Sequence, residues 1–168
     1  DKMISYEAAP GANVTVKGSR VVRAGWEPST DYFLGPHGLP RPANVKVYQR
    51  RLDDLDFQGY NPFGAVNIMQ SRVYLFSKPE QLRAHLLRAG MVFVDGEKLE
   101  QVELYKELAQ KDGRFWCEHD GLTIHVRLPR DANPAQHEVE LAIQEQVFAP
   151  FTRGLSYIRV KGITFEHA

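Results

Sequence analysis

The closing stretch Leu155-Ser156-Tyr157-Ile158-Arg159-Val160-Lys161-Gly162-Ile163-Thr164-Phe165-Glu166-His167-Ala168 decides how this chain is read. Ile158 and Val160 share one face of an extended segment, Gly162 interrupts it, and Ile163 with Phe165 resumes an apolar face. Two short strands joined by a single glycine lack the two-residue turn sequence of a hairpin. They predict a chain that turns a corner instead of doubling back, which is solenoid behaviour. The alternative is that the last strand pairs inside a compact sheet. Glu166 falls on the face of Thr164, away from Ile163 and Phe165. His167 falls on the apolar face, where a packed histidine bonded to a backbone group or to a following coil is expected.

The N-terminal end reads in the same way. Ile4, Tyr6 and Ala8 alternate up to the break Pro10-Gly11, then Val14 and Val16 flank Thr15, and Gly18 precedes Val21-Val22. Period-two alternation with Pro and Gly at the corners predicts short strands and no helix. From residue 23 to about 74 the texture changes to a long irregular connection rich in Pro and Gly, with strands expected only at 45–48 and 72–76. It carries Trp26, Tyr32, Phe33, Tyr48, Phe57, Tyr60 and Phe63, too many aromatics for a flexible linker. Ser77-Lys78-Pro79-Glu80 is a helix start with a capping box, and Leu82, Leu86 and Leu87 give the apolar stripe that Gly90 ends. Met91 to Val94 followed by Asp95-Gly96 predicts a strand entering a type I′ turn, with Leu99 and Val102 on the return. A short helix is expected over 103–110. A second hairpin runs from Phe115 to Leu128 around Asp120-Gly121, and Val139, Leu141 and Ile143 alternate once more.

The 168 residues suit one domain or two small ones. Twenty-one basic residues balance 21 acidic ones, so no basic excess supports nucleic-acid binding through bulk charge. No window approaches the roughly 18 apolar residues of a membrane span. The chain opens on Asp1, so the expectation is a processed protein or an excised piece, and the single Cys117 leaves the redox compartment open. Cys117, His119 and His125 invite a metal reading, but no paired Cys-x-x-Cys or His-x-x-x-His accompanies them, so neither metal nor cofactor is expected. Asp53, Asp54 and Asp56 beside Arg50 and Arg51 read as a solvated charge cluster, and Glu118 with Asp120 as part of a turn. No Gly-x-Ser-x-Gly elbow, phosphate loop or dinucleotide fingerprint occurs.

Ile4-Ser5-Tyr6-Glu7-Ala8-Ala9-Pro10-Gly11 with Val14-Thr15-Val16-Lys17-Gly18-Ser19 resembles the opening coils of right-handed parallel β-helix enzymes that act on polysaccharides. Tyr157 to Ala168 resembles a later coil of the same proteins. Val92-Phe93-Val94-Asp95-Gly96, Gly113-Arg114-Phe115-Trp116, Leu122-Thr123-Ile124-His125-Val126 and His137-Glu138-Val139-Glu140 resemble the small β-rich insertion of β-helical glycoside hydrolases. The resemblance covers about three quarters of the chain, and its motifs are structural rather than catalytic. It implies a mainly β fold with minor α content: the start of a right-handed parallel β-helix plus an inserted, hairpin-rich α+β module. First β-helix strands are expected at 1–30, the module with its aromatic loop at 31–144, and resumed β-helix strands at 145–168, with the chain stopping short of the remaining coils.

The function implied is the N-terminal part of a secreted, periplasmic or cell-surface glycoside hydrolase acting on a polysaccharide or oligosaccharide. Its catalytic carboxylates would lie downstream, so no catalytic residue is assigned and this segment alone is expected to be inactive. Trp26, Tyr32, Phe33, Tyr60 and Trp116 are the candidates for stacking on sugar rings, with Trp26 and Trp116 preferred, since an aromatic face offers apolar contact beside polar neighbours. Glu166 is the candidate for touching sugar hydroxyls, against the plainer reading of a solvated or neighbour-paired carboxylate. A non-catalytic carbohydrate-binding or surface domain, and a β-helix polysaccharide lyase, stay open as alternatives.

Overall fold

A computed structural model describes residues 3–29, 44–67, 87–150, 152 and 154–167. Tyr32, the strand expected at 72–76 and the helix expected from Ser77 through Leu86 lie outside those residues. The described part is mainly β, with thirteen strands and short 3-10 turns.

The corner at Gly162 forms as its sequence predicts. Strands β12 (Ile158–Lys161) and β13 (Ile163–Glu166) flank it and do not pair with each other. β12 runs parallel to β1 (Ile4–Glu7), with Ile4 opposite Ile158 and Tyr6 opposite Val160. β13 runs parallel to β2 (Val14–Lys17), with Val14 opposite Ile163 and Val16 opposite Phe165. Apolar residues are thereby matched in register along both ladders. Gly162 sits at φ 71°, in the left-handed region that only glycine enters at no steric cost, and a Cβ there would lie 3.2 Å from that of Ala8.

Between these strands the chain builds two antiparallel-rich sheets. One contains, in order, β4 (Glu27–Pro28), β5 (Tyr48–Arg51), β10 (Thr123–Arg127), β9 (Arg114–Cys117) and β8 (Glu100–Gln101). The other contains β3 (Ser19–Val21), β11 (Val139–Ala142), β6 (Val92–Val94) and β7 (Glu97–Lys98). Phe115, Cys117, Ile124 and Val126 from the first sheet and Val92, Val94, Val139 and Leu141 from the second share one buried cluster with Phe63 and Leu52. The sheets therefore face each other, and each large side chain buried there contributes roughly 1.5–3 kcal/mol. β3 and β4 lie within the first thirty residues yet pair into these sheets rather than with the parallel strands.

The outer face of each sheet is covered as well. Val45, Val47, Val102, Tyr105 and Leu108 form a second cluster with Trp116 against the first sheet. On the second sheet, Phe93 and Glu140 are buried beneath His167 and Lys17, so the parallel strands pack over it. This explains why β10 and β11 are buried on both faces although their sequences alternate like half-exposed strands.

Asp95 and Gly96 have φ 50° and 86°, the type I′ geometry predicted for the first hairpin. Its return strand is shorter than expected. After Lys98 the chain changes sheet, because Leu99 belongs to the inner cluster and Val102 to the outer one. The helix expected over 103–110 is a 3-10 helix, Tyr105–Ala109, with the Glu107 carboxylate accepting from the N–H groups of Glu103 and Leu104. The strand expected at 45–48 begins only at Tyr48, with Val45 and Val47 buried ahead of it. Leu87 to Ala89 run extended rather than helical: Arg88 bridges Val66, and Asn67 N–H donates to Leu87 O at 2.9 Å.

Candidate functional site

The turn Phe57–Tyr60 closes by a 2.9 Å bond from Tyr60 N–H to Phe57 O, with Gln58 and Gly59 at φ 51° and 87°. The Asp56 carboxylate accepts from Gln58 N–H at 3.0 Å and fixes the entry to the turn. Opposite it runs the segment 144–150, which leaves β11 and is tied down where Ile143 and Gln144 N–H groups both donate to Gly18 O, at 2.9 and 3.0 Å. Between the two lies a groove of about 650 Å³, lined by Phe57, Gln58, Tyr60, Gln144, Glu145 and Phe148 among others. Small-molecule sites fall at roughly 300–1,000 Å³.

The lining is chemically mixed. Phe57, Tyr60 and Phe148 supply aromatic surface, while Gln58, Gln144 and Gln146 each bring an amide that both donates and accepts. Glu145 adds a carboxylate acceptor. Sugar hydroxyls also donate and accept, and a sugar ring carries C–H faces, so this combination is chemically matched to a glycan. A second cavity of about 570 Å³, bordered by Asn67, Arg88, Lys98, Gln101 and Phe115, lies elsewhere. Its two cationic side chains and scarce aromatic surface give it a different character.

The residues singled out from sequence are not brought to one surface. Trp26 is half-buried against the inner cluster, its indole N–H donating to Val22 O at 3.2 Å. Trp116 belongs to the outer cluster, donates to Glu103 O at 3.2 Å, and meets Tyr105 edge-on at 5.6 Å between centroids. Glu166 lies on β13 opposite Lys17, whose ammonium it helps to keep protonated, after the larger effect of the Glu140 hydrogen bond. Tyr32 lies outside the described residues. Phe33 lies outside them too. Tyr60 is the stacking candidate that lines the groove among the described residues, and Phe57, noted in the same irregular connection, lines it as well. Gln58, Gln144, Glu145, Gln146 and Phe148 were not singled out. The one signal available was the polar run Gln144-Glu145-Gln146 directly after an apolar strand, beside Phe148.

Two buried polar networks compete for attention. The Ser29 hydroxyl lies 2.8 Å from the Tyr105 hydroxyl and 2.9 Å from Nδ1 of His125, whose Nε2 is 3.0 Å from Glu118 Oε1. A serine, a histidine and a carboxylate in sequence is the arrangement of nucleophilic hydrolases. Here Ser29 is 2% exposed and His125 is 0% exposed, and the serine is shared with Tyr105. Burial drives the His125 pKa down in spite of Glu118, which keeps the imidazole neutral. The network satisfies polar groups inside the core.

The second network joins the parallel strands to the sandwich. The Glu140 carboxylate accepts from Lys17 Nζ at 3.0 Å and from Ser19 Oγ at 2.6 Å, and Ser19 Oγ lies 2.9 Å from His167 Nδ1. His167 stacks on Phe93 at 3.7 Å, so it is the packed histidine expected, although its partners are a side-chain hydroxyl and a ring rather than a backbone group. Burial opposes ionisation of Glu140, but the Ser19 and Lys17 hydrogen bonds outweigh it and hold the carboxyl below its usual range.

The pleat also separates the residues that suggested a metal. Cys117 faces the inner cluster, His125 the opposite face, and His119 is exposed beside Arg88. Arg51 pairs with Asp53 at 3.0 Å at the surface, but Arg50, expected in the same solvated cluster, is buried: its guanidinium donates to Ala24 O at 2.9 Å and reaches the exposed Asp54 at 2.8 Å.

No protein-family model matches the chain, and no curated protein sequence matches it. Among solved structures, its fold is similar to part of XylC in complex with xylose, with a TM-score of 0.67 and 21% sequence identity. The match covers 99% of this chain and 26% of that one, so this chain spans about a quarter of the length of XylC and shares the fold of that portion.

Proposed function

We propose that this chain is the N-terminal part of a β-helix glycoside hydrolase that acts on a polysaccharide outside the cytoplasm, and that the groove between residues 57–60 and 144–150 holds sugar. The groove itself carries the reading: aromatic faces and amide side chains converge on one cleft. Two further observations support it. The terminal strands pair in parallel with apolar residues in register, as successive coils of a solenoid do. The fold also resembles part of a protein solved with xylose.

In this reading β1, β2, β12 and β13 start the solenoid and the two facing sheets form the inserted module. In the same reading β3 and β4, which pair into those sheets, are counted with the module, ahead of the boundary at residue 31 that the resemblance implied. Glycoside hydrolysis needs two carboxyl groups, and Glu145 is the one carboxylate among the described groove residues. One carboxylate is not that pair, and the reading places the pair in later coils of a longer protein, as the resemblance implies, with this segment binding without turnover. The same observation is what would be seen in a purely sugar-binding domain.

Titration calorimetry with neutral and acidic oligosaccharides tests the reading. Saturable binding is expected, weakened about two- to tenfold by Tyr60→Ala through the loss of a stacking face. Absence of saturable binding to any of them refutes it, and hydrolysis by the 168 residues alone refutes the assignment of catalysis elsewhere. Assayed in a longer protein, new reducing ends indicate a hydrolase, an unsaturated ultraviolet-absorbing product a lyase, and neither a binding domain.

A further inference from the structure

The segment 144–150 forms neither strand nor helix among its described residues, yet it carries the aromatic wall of the groove. Past Gln144, Phe148 is braced by two rings from the parallel strands. Tyr6 on β1 meets it edge-on, with centroids 5.3 Å apart and planes at 80°. Phe165 on β13 lies 5.5 Å away at 48°. Phe148 remains 44% exposed and lines the groove.

We infer that Phe148 is a sugar-stacking platform and that Tyr6 and Phe165 are its positioning residues, so that the parallel strands set the affinity of a groove they do not themselves line. The inference rests on the reading of the groove as a sugar site. An unbraced phenylalanine on an irregular segment samples several rotamers and must be ordered by each ligand it meets. A ring held edge-on by one neighbour and tilted against another has met that ordering cost on folding, and it offers a flat apolar surface to the C–H face of a pyranose. Gln144 and Gln146 precede the ring by four and two residues, line the same groove, and supply the paired donors and acceptors that equatorial hydroxyls require. The occupant is accordingly a pyranose with one C–H face free to lie flat.

Titration with xylohexaose of the wild type and the variants Phe148→Ala, Tyr6→Leu, Phe165→Leu and Tyr6→Leu/Phe148→Ala tests this. Leucine keeps the parallel strands packed while removing the ring contact. Amide exchange in β12 and β13 confirms that the strands stay formed, and aromatic NMR follows the Phe148 ring. Phe148→Ala is expected to weaken binding about tenfold, and Tyr6→Leu and Phe165→Leu about two- to fivefold. Tyr6→Leu should change nothing further once Phe148 is alanine. If Phe148→Ala weakens binding while Tyr6→Leu and Phe165→Leu do not, or if Tyr6→Leu adds its full effect to Phe148→Ala, the positioning role is wrong and the sugar groove stands. If Phe148→Ala leaves binding intact, the platform is wrong. If the wild type binds glycans but none built of pyranose rings, the inference falls with the groove reading intact; a pyranose glycan that binds in place of xylohexaose puts the same variants to the same criteria. Failure to bind any glycan removes both.

Discussion

Gly121→Ala should be among the most damaging single-methyl substitutions in this chain. Gly121 follows Asp120 in the turn between β9 and β10, at φ 68°, and its carbonyl accepts from Asn61 Nδ2 at 2.8 Å. A Cβ at this position would run into the backbone N and Cα of Gly64 and would come 2.7 Å from the Phe63 carbonyl carbon. Backbone atoms cannot swing aside as a side chain can, and Phe63 is wholly buried, so that loop has nowhere to retreat.

Two costs add. Left-handed backbone in a residue with a Cβ costs about 1–2 kcal/mol, and overpacking adds about 1–3 kcal/mol. A loss of about 2–5 kcal/mol follows, or roughly 4–20 °C in Tm for a chain of this size. Two other glycines separate the terms. Gly96 has φ 86° and nothing within 4 Å of a Cβ, so Gly96→Ala should show the backbone cost alone, about 1–2 kcal/mol. Gly64 has no left-handed φ, and its Cβ would meet Asp120 O at 3.6 Å, an ordinary contact, so Gly64→Ala should stay within about 0.5 kcal/mol. Urea unfolding of the three variants measures all of this. Equal losses for Gly121→Ala and Gly96→Ala, or a large loss for Gly64→Ala, would refute the idea that the two loops interlock through their backbones.

Acidification should destabilise the protein through His125. Its folded pKa lies below the ordinary value of about 6.5, so as pH falls through 6.5 the unfolded chain takes up a proton that the folded chain refuses. The loss accumulates until the folded pKa is passed; urea midpoints measured against pH should fall over that window and flatten in His125→Gln. Glu140 acts in the same sense at lower pH, since its depressed pKa gives stability that is present above the usual carboxylate range and lost as pH falls through its folded value. Glu140→Gln should remove that part of the acid sensitivity, and a variant as acid-labile as the wild type would exclude the carboxylate as its source. Burial pushes the Cys117 thiol up to about 12, so iodoacetamide should label it only in denaturant; rapid labelling of the native protein would contradict the packing of β9. Finally, Ser19 gives its one proton to Glu140, so the bond between Ser19 and His167 must be donated by the imidazole. Nitrogen-15 NMR should find a proton on Nδ1 of His167, and a bare Nδ1 would reverse that hydrogen-bond direction.

Much of the local structure was legible because it is set by neighbours in the chain. The corner at Gly162, the type I′ turn at Asp95-Gly96 and the hairpin around Asp120-Gly121 follow from backbone preferences of a few residues, and alternation in Ile4 to Tyr6 and in Ile124 to Leu128 assigns faces. What covers those faces is not local. His125 and Glu140 sit at positions that alternation gives to solvent, and they are buried because the Tyr105 turn and the strand pair β2/β13 each close over a second face of a sheet. Leu99 and Val102 read as one return strand, yet they split between two clusters because the chain changes sheets between them. Indoles were the preferred stacking candidates, but Trp26 and Trp116 each pack partly buried against a cluster and spend their N–H on a backbone carbonyl. The groove instead joins the turn at 57–60 to a segment more than eighty residues later, and a Phe148 ring braced by both ends of the chain. By itself the sequence determined the corners, most of the strands and the apolar faces they carry, since these rest on side-chain period and backbone sterics. Only the tertiary structure decided which polar groups are buried and where a cleft opens, because burial and clefts are properties of layers that meet across the whole chain.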